Sequence, residues 1–285
     1  MKKKCAQIDY TEGYAPHNRK QVFFDCYKVR FLLLFELGLL SLLFLLPLLI
    51  LYLSEDSNLA VLYSMAETDK ELCAAIRRLY SLVKIPGFAV FGVGVAGIIR
   101  LLRQLIWGEG IFFWEDFLLG VKQNGKVYTL FFLFLGFANS GNVILSTMGF
   151  GIPEYVFLAV CLLLVLPVSI WMLLQTCVYD MKFVEKFRNA LRFYILTFPK
   201  TLVLLILTLA LLSLSLIQVP LIKYIAILIA VLFLEIPLCM LWLLFACSAF
   251  DKYINEKAYP ELMNRGMAVQ KEESPKSEPS EAEES

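Results

Sequence analysis

The residues best suited to chemistry are polar side chains inside long apolar stretches of the sequence. Glu235 lies in one such stretch two residues before Pro237, and Asn139, Ser140 and Asn142 form a polar patch in another. A charged side chain at the centre of a membrane costs about 2.5–3.5 kcal/mol by insertion scales, so each one needs a structural or functional reason. Glu235, Asn139 and Asn142 are therefore the candidate intramembrane polar site, and the chemistry they suggest is small-solute transport or conduction.

A structural role competes with this hypothesis at each position. Glu235 could accept a structural hydrogen bond, or it could pair with Arg100 or Arg103 of another apolar stretch. An Asn at mid-membrane bonds a neighbouring helix more often than it lines a wet cavity. Gly92 and Ala96 are four residues apart and favour close helix contact. If a cavity exists, we expect the two apolar stretches that contain Gly92 and Asn139 to surround it together with Glu235.

These polar residues must be positioned by membrane helices. The chain has 285 residues, of which 59% are hydrophobic and 18% charged, more apolar than a soluble domain of this size requires. Spanning a bilayer takes about 20 apolar residues in a helix, and the apolar runs are too long for barrel strands. We predict an all-α fold, a polytopic transmembrane helical bundle with amphipathic interfacial helices. Its six predicted spans are 31–53, 86–107, 127–148, 155–179, 201–219 and 221–250.

Most Lys and Arg residues fall on one of the two sides that six spans create. One side holds 21 Lys and Arg residues and the other holds 5. Because short cytoplasmic loops carry the excess of Lys and Arg, we expect both termini in the cytoplasm of a cell-membrane protein. Residues 1–30 form the predicted cytoplasmic N-terminal segment, and residues 251–285 form a cytoplasmic tail. From about residue 272 the tail is acidic and lacks bulky apolar residues, so we expect it to be disordered.

The sequence offers no constellation for catalysis or metal binding. It has one histidine, His17, and seven cysteines without a CxxC pair. An intramembrane enzyme needs a nucleophile with a base, or a metal, and no such set is visible. We therefore expect neither enzymatic activity nor a cofactor. The net charge of +1 and the acidic tail also argue against nucleic-acid binding.

Three amphipathic segments connect the predicted spans. Residues 68–84 begin with a possible capping box, Thr68 with Glu71, and predict an interfacial helix that caps the bundle or binds a partner. Segments 108–126 and 181–200 mix aromatic with basic residues, which favours the inner membrane surface. Each has a basic residue near an Asn, Lys122 with Asn124 and Arg188 with Asn189, shortly before an outgoing span. This suggests two repeated hairpins, although chance or a shared need for membrane anchoring explains the pattern equally well.

Two of these segments carry a family resemblance. The sequences WGEGIFFWEDFLLGVKQNGK, residues 107–126, and FRNALRFYILTFPKTLVLL, residues 187–205, resemble the YesL-like integral membrane proteins. This is an uncharacterised family with a domain of unknown function, found mainly in Gram-positive bacteria. Besides Gly92, the positions that match form a candidate family-motif surface: Arg103, Gly108, Asp116, Phe117, Lys122, Asn124, Asn189, Pro199 and Thr201.

The resemblance implies a role beside carbohydrate uptake. Members of the family tend to be encoded next to carbohydrate importers and sugar-degrading enzymes, which suggests an accessory or regulatory component. The implied partners are the lipid bilayer and a carbohydrate ABC importer or another membrane protein. The alternative is a small-solute transporter or channel built on the intramembrane polar site. The chain departs from the family pattern in its long segment 54–85 and its acidic tail.

Overall fold

The computed structural model describes residues 16–64 and 69–267. Residues 1–15 and the predicted disordered tail lie outside these ranges. The described residues form eight helices and a closing 3₁₀ turn, Pro260–Leu262. The helices are α1 Arg19–Val29, α2 Phe31–Tyr63, α3 Lys70–Ile106, α4 Phe113–Met148, α5 Ile152–Val178, α6 Phe183–Leu196, α7 Phe198–Leu216 and α8 Pro220–Ala258.

Six of the eight helices are long and apolar enough to cross a membrane, namely α2, α3, α4, α5, α7 and α8. The predicted all-α class with six spans is confirmed. Large apolar side chains cover the outside of these helices, and Leu43, Phe137 and Val203 are each more than half exposed. Such a surface suits lipid rather than water, so the bundle is a membrane protein in contact with the bilayer.

The first two spans are longer than the sequence suggested. Helix α2 continues past residue 53 to Tyr63, and α3 begins at Lys70 rather than at Pro86. The segment expected to form a separate interfacial helix is therefore the first part of α3. Its cap is Asp69, whose carboxylate accepts the backbone N–H groups of residues 71 and 72 at 2.9 and 3.1 Å, while Thr68 lies outside the described ranges.

The turn between α3 and α4 also differs from expectation. Residues 113–126 are the first turns of α4, which begins at Phe113, so the predicted interfacial segment 108–126 is a short connection followed by a long helix. The second predicted segment, in contrast, contains the separate helix α6. The two predicted hairpins therefore differ, because only the second has a separate helix between its spans.

Small residues let α3 pack closely against α4. A Cβ atom added to Gly92 would lie 2.9 Å from the Phe132 Cβ, and one added to Gly97 would lie 2.3 Å from the Phe117 ring. Close backbone approach of this kind stabilises helix pairs in lipid, where burial of apolar surface provides no driving force. The largest helix contact in the bundle is the one between α3 and α4.

Two spans each contain a π-helical turn that ends two residues before a proline. In α5 the turn is Cys161–Val165, followed by Leu166 and Pro167, and in α8 it is Val231–Glu235, followed by Ile236 and Pro237. Proline has no N–H to donate, so carbonyls one turn earlier lose their helical partner, and the wider π turn accommodates the mismatch. Glu235 is the last residue of its π turn.

Candidate functional site

Glu235 is held where α2 and α8 cross. The Ser41 hydroxyl of α2 donates a hydrogen bond to Glu235 Oε2 at 2.9 Å, and Ser41 is fully buried. Gly38 permits this contact, because a Cβ atom at that position would lie only 2.7 Å from the carbonyl oxygen of Leu232. The crossing therefore brings one hydroxyl to the carboxylate in the middle of the bundle.

The arginines considered as partners of Glu235 have other contacts. Arg100 Nη1 donates to the Gln123 Oε1 at 2.5 Å, and Arg103 Nη1 donates to the backbone carbonyl of Cys177 at 2.7 Å. The Arg103 guanidinium also lies 4.7 Å from the centre of the Trp107 ring. The two arginines join α3 to α4 and α5, and neither forms an ion pair with Glu235.

The asparagine patch lies on a different helix pair. Ser140 is buried in α4, and its hydroxyl is 3.0 Å from that of Ser81 in α3. Asn139 and Asn142 flank this contact and are half-buried. The side-chain oxygen of Asn142 is buried and has no hydrogen-bond partner among residues 16–64 and 69–267. This oxygen is one of several buried polar atoms without a partner in the described ranges, and Gln104 Oε1 and Gln175 Oε1 are others.

Glu235 and the asparagine patch lie at different depths. Phe44, on the α2 turn beside the Glu235 contact, packs against Gly94 of α3. Ser140 contacts Ser81, which precedes Gly94 by thirteen residues in α3. At a rise of 1.5 Å per residue the two levels are about 20 Å apart. The structure therefore does not assemble the three predicted intramembrane residues into one site.

A charged cluster that the sequence did not suggest joins three spans at the end of the bundle opposite α1 and α6. Lys84 of α3 forms an ion pair with Glu55 of α2, and Lys223 of α8 forms one with Asp56 of α2. The Tyr224 hydroxyl also donates to Asp56 at 2.8 Å. Two cations therefore neutralise two carboxylates. The sequence signal that could have revealed the cluster is the adjacent acidic pair Glu55 and Asp56 together with single lysines, Lys84 and Lys223, in other apolar stretches.

The other end of the bundle carries α1, the α3–α4 turn and α6, and we call it the basic end. There Asp251 accepts from Arg19 Nη2 at 2.5 Å and from Asn255 Nδ2 at 2.8 Å. The Tyr179 hydroxyl donates to Asn255 Oδ1 at 2.5 Å, and burial raises the pKa of that phenol well above its usual value. These contacts tie α1 and the end of α5 to α8.

Most of the candidate family-motif surface is structural. Gly108 ends α3 with a φ of +67°, in the left-handed region that suits glycine. Asp116 Oδ2 accepts the backbone N–H of Phe112 at 2.8 Å, which fixes the start of α4. Phe117 and Asn124 are buried. Thr201 is fully buried, and its hydroxyl lies 3.0 Å from the hydroxyl of Thr197.

The remaining motif residues lie nearer the surface. Lys122 and Pro199 are exposed, on α4 and at the start of α7 respectively. Asn189 in α6 is half-buried, and its side-chain N–H₂ donates to the Met181 sulfur at 3.8 Å. The motif positions therefore do not form one continuous surface, since the buried ones support helix starts and helix packing.

Helix α6 presents three different faces. Lys186, Ala190 and Phe193 pack against the bundle, and burial lowers the pKa of the Lys186 ammonium. A second face is apolar and exposed, with Phe183 at 68% and Ile195 at 72%. The third face carries the charged side chains Glu185, Arg188 and Arg192, all of them exposed. This pattern is typical of a helix that lies in the membrane interface.

Neither a search for metal-binding clusters nor comparison with known proteins assigns a function to these residues. In the two described ranges, no three His, Cys, Asp or Glu side chains cluster closely enough to hold a metal ion. No protein-family model matches the chain, and neither a curated protein nor a solved structure matches it. The fold and these sites define a six-span helical membrane protein.

Proposed function

We propose that this chain is an accessory or regulatory protein of the cell membrane that binds a membrane partner through the basic end. The observation that carries the proposal is the charged face of α6. Glu185, Arg188 and Arg192 form no hydrogen bond or ion pair with the described residues, although the opposite face of the helix is fixed to the bundle. A rigid helix with an unpaired charged strip suits recognition of another protein.

The orientation follows from the positive-inside rule. The basic end and the segments beyond it carry 21 of the 26 Lys and Arg residues, so we place this end and both termini in the cytoplasm. The apolar face of α6 then lies at the boundary of headgroups and acyl chains, and its charged face points to the cytoplasm.

The interior of the bundle favours a binding role over transport. Each of the two polar contacts inside the bundle, Ser41 with Glu235 and Ser81 with Ser140, pairs two side chains of neighbouring helices, and the two contacts lie at different depths. Two grooves of the described residues lie at opposite ends of the bundle, one beside Lys200 and the other beside Lys70. The resemblance to the YesL-like family supplies the partner class, which is a carbohydrate ABC importer or a protein that works with one.

Affinity purification after crosslinking in native membranes tests this proposal. The test variant is Arg188→Glu with Arg192→Glu. The control, Lys70→Glu with Arg77→Glu, makes the same charge change on exposed residues at the opposite end. We expect the recovered partner to fall more than tenfold in the test variant only. An identical set of partners from all three proteins would refute the proposal.

A second function, small-solute transport, is favoured by one observation. Glu235 stands on a π turn inside the membrane and has a single hydrogen bond, and π turns recur at functional sites. Solute flux into liposomes containing the purified protein tests it. Flux that falls in Glu235→Gln but not in Glu36→Gln, which changes an exposed carboxylate of α2, would support transport. Flux indifferent to both changes would dismiss this role for Glu235.

A further inference from the structure

We propose that a groove between the start of α7 and the end of α8 binds the headgroup of an anionic phospholipid. The groove lies at the basic end and has a volume of about 360 Å³. Its polar lining consists of Thr197, Lys200, Ser248, Lys252 and Tyr253. This inference is independent of the proposed partner protein, because it rests on residues outside the charged face of α6.

The charges of the groove suit a phosphate group. Lys200 and Lys252 are exposed, no carboxylate lines the groove, and neither lysine has an acidic partner in the described ranges. The neighbouring Asp251 is already engaged by Arg19 at 2.5 Å. The hydroxyl of Ser248 adds a neutral donor. Two ammonium groups without a carboxylate partner, beside a hydroxyl donor, are a typical arrangement for a phosphodiester, although the Lys252 ammonium also lies 5.3 Å from the centre of the Tyr253 ring.

The backbone contributes to the same electrostatic field. Helix α7 is nineteen residues long and begins at Phe198, directly after Thr197. The positive end of its dipole therefore faces the groove, and Lys200 lies in the first turn. Thr201 donates its N–H to the carbonyl of Thr197 at 2.9 Å, so this start of the helix is well ordered.

The shape and surroundings of the groove favour a lipid over a soluble anion. Its apolar lining is Leu196, Phe245 and Ala249, and Leu196 is 57% exposed beside the lysines. Deeper in the membrane α7 and α8 are joined, because Trp242 Nε1 donates to Thr208 Oγ1 at 3.0 Å. A cationic groove at the interface with exposed apolar side chains beside it fits an amphipathic ligand with an anionic head.

Native mass spectrometry of the detergent-purified full chain tests this assignment. Phosphatidylglycerol and phosphatidylcholine of equal chain length are offered at equal concentrations. We expect the wild type to retain phosphatidylglycerol at least tenfold more strongly than phosphatidylcholine, and Lys200→Gln with Lys252→Gln to lose that preference. The control Lys20→Gln with Lys28→Gln removes the same charge from exposed lysines of α1 and should keep it.

Three results would overturn the assignment. Equal retention of the two lipids by the wild type would remove its basis. Loss of the preference in both double variants would indicate general surface charge. Displacement of the lipid by millimolar glycerol phosphate would indicate a site for soluble phosphate.

A second measurement avoids any dependence on the folding of the lysine variants. Ser248→Cys places a thiol in the groove, and labelling of the wild type gives the background from the native cysteines. Vesicles of phosphatidylglycerol should slow maleimide labelling at this position at least fivefold relative to vesicles of phosphatidylcholine. Labelling that is equally fast in both kinds of vesicle would contradict the proposal.

Discussion

The Tyr194 hydroxyl of α6 donates a hydrogen bond to the backbone carbonyl of Leu163 in α5 at 2.6 Å. Leu163 lies in a π turn four residues before Pro167, where proline supplies no N–H to the preceding turn. A side chain of the interfacial helix therefore satisfies a carbonyl within the membrane. One hydrogen bond therefore links the π turn of α5 to the attachment of α6.

This contact predicts a measurable loss of stability. Tyr194→Phe removes the donor and leaves the Leu163 carbonyl without it in lipid, so the free energy of unfolding should fall by about 1–2 kcal/mol. Unfolding in mixed detergent micelles measures the change. The control is Tyr27→Phe, because Tyr27 is exposed and its hydroxyl forms no hydrogen bond within the described residues. Equal stabilities of the two variants would show that the Tyr194 bond contributes nothing.

The charged cluster predicts coupling between helices α2 and α3. The Lys84 side chain is only 4% exposed and that of Glu55 is 14% exposed. Lys84→Met leaves a mostly buried carboxylate without its cation, and removing one member of such a pair costs about 3–5 kcal/mol. The double variant Lys84→Met with Glu55→Gln should recover much of that loss. Unfolding midpoints of the three proteins measure it, and additive effects would argue against an energetic pair.

The α2–α8 crossing predicts different responses from two glycines. Gly38→Ala would place a Cβ atom 2.7 Å from the Leu232 carbonyl, so the helices must separate, at a cost of about 1–3 kcal/mol. Gly125→Ala should be neutral or stabilising, because its Cβ atom would meet only the Val121 side chain at 3.6 Å. Thermal unfolding of both purified variants provides the comparison. A Gly38 variant as stable as the Gly125 variant would contradict the close crossing.

Cys26 predicts a characteristic pH profile of thiol reactivity. Burial raises the pKa of the Cys26 thiol from 9.0 to about 11, with a smaller contribution from the charge of Asp25. Because the thiolate is the reactive form, maleimide labelling at pH 8 should be about a hundredfold slower than at an ordinary thiol. The rate should continue to rise through pH 11. Tyr27→Cys, an exposed neighbour, should level off near pH 10, and matching profiles would contradict the burial of Cys26.

The number of spans could be predicted from the sequence, because it depends on the length of apolar runs alone. The ends of the first two spans could not. Glu55 and Asp56 mark the end of an apolar run, yet α2 continues past them because Lys84 and Lys223 of other helices neutralise their charges. A partner that is distant in sequence leaves no local pattern to recognise.

The candidate site was only partly predictable for a related reason. The polarity of Glu235 and its position before Pro237 indicated an unusual point in the last span, and the structure places a π turn there. The partner of Glu235 was not predictable. Ser41 is an ordinary polar residue in α2, and it reaches the carboxylate only because Gly38 allows the two helices to approach.

The proposed function depends on the orientation of the basic end, and a dual reporter fused after Met267 tests that orientation most directly. The reporter combines alkaline phosphatase, which is active only outside the cytoplasm, with a fluorescent protein that matures only inside. We expect fluorescence without phosphatase activity, because six spans place both termini on one side and the excess of Lys and Arg on that side makes it the cytoplasmic one. Phosphatase activity without fluorescence would place the basic end outside the cell and contradict the account.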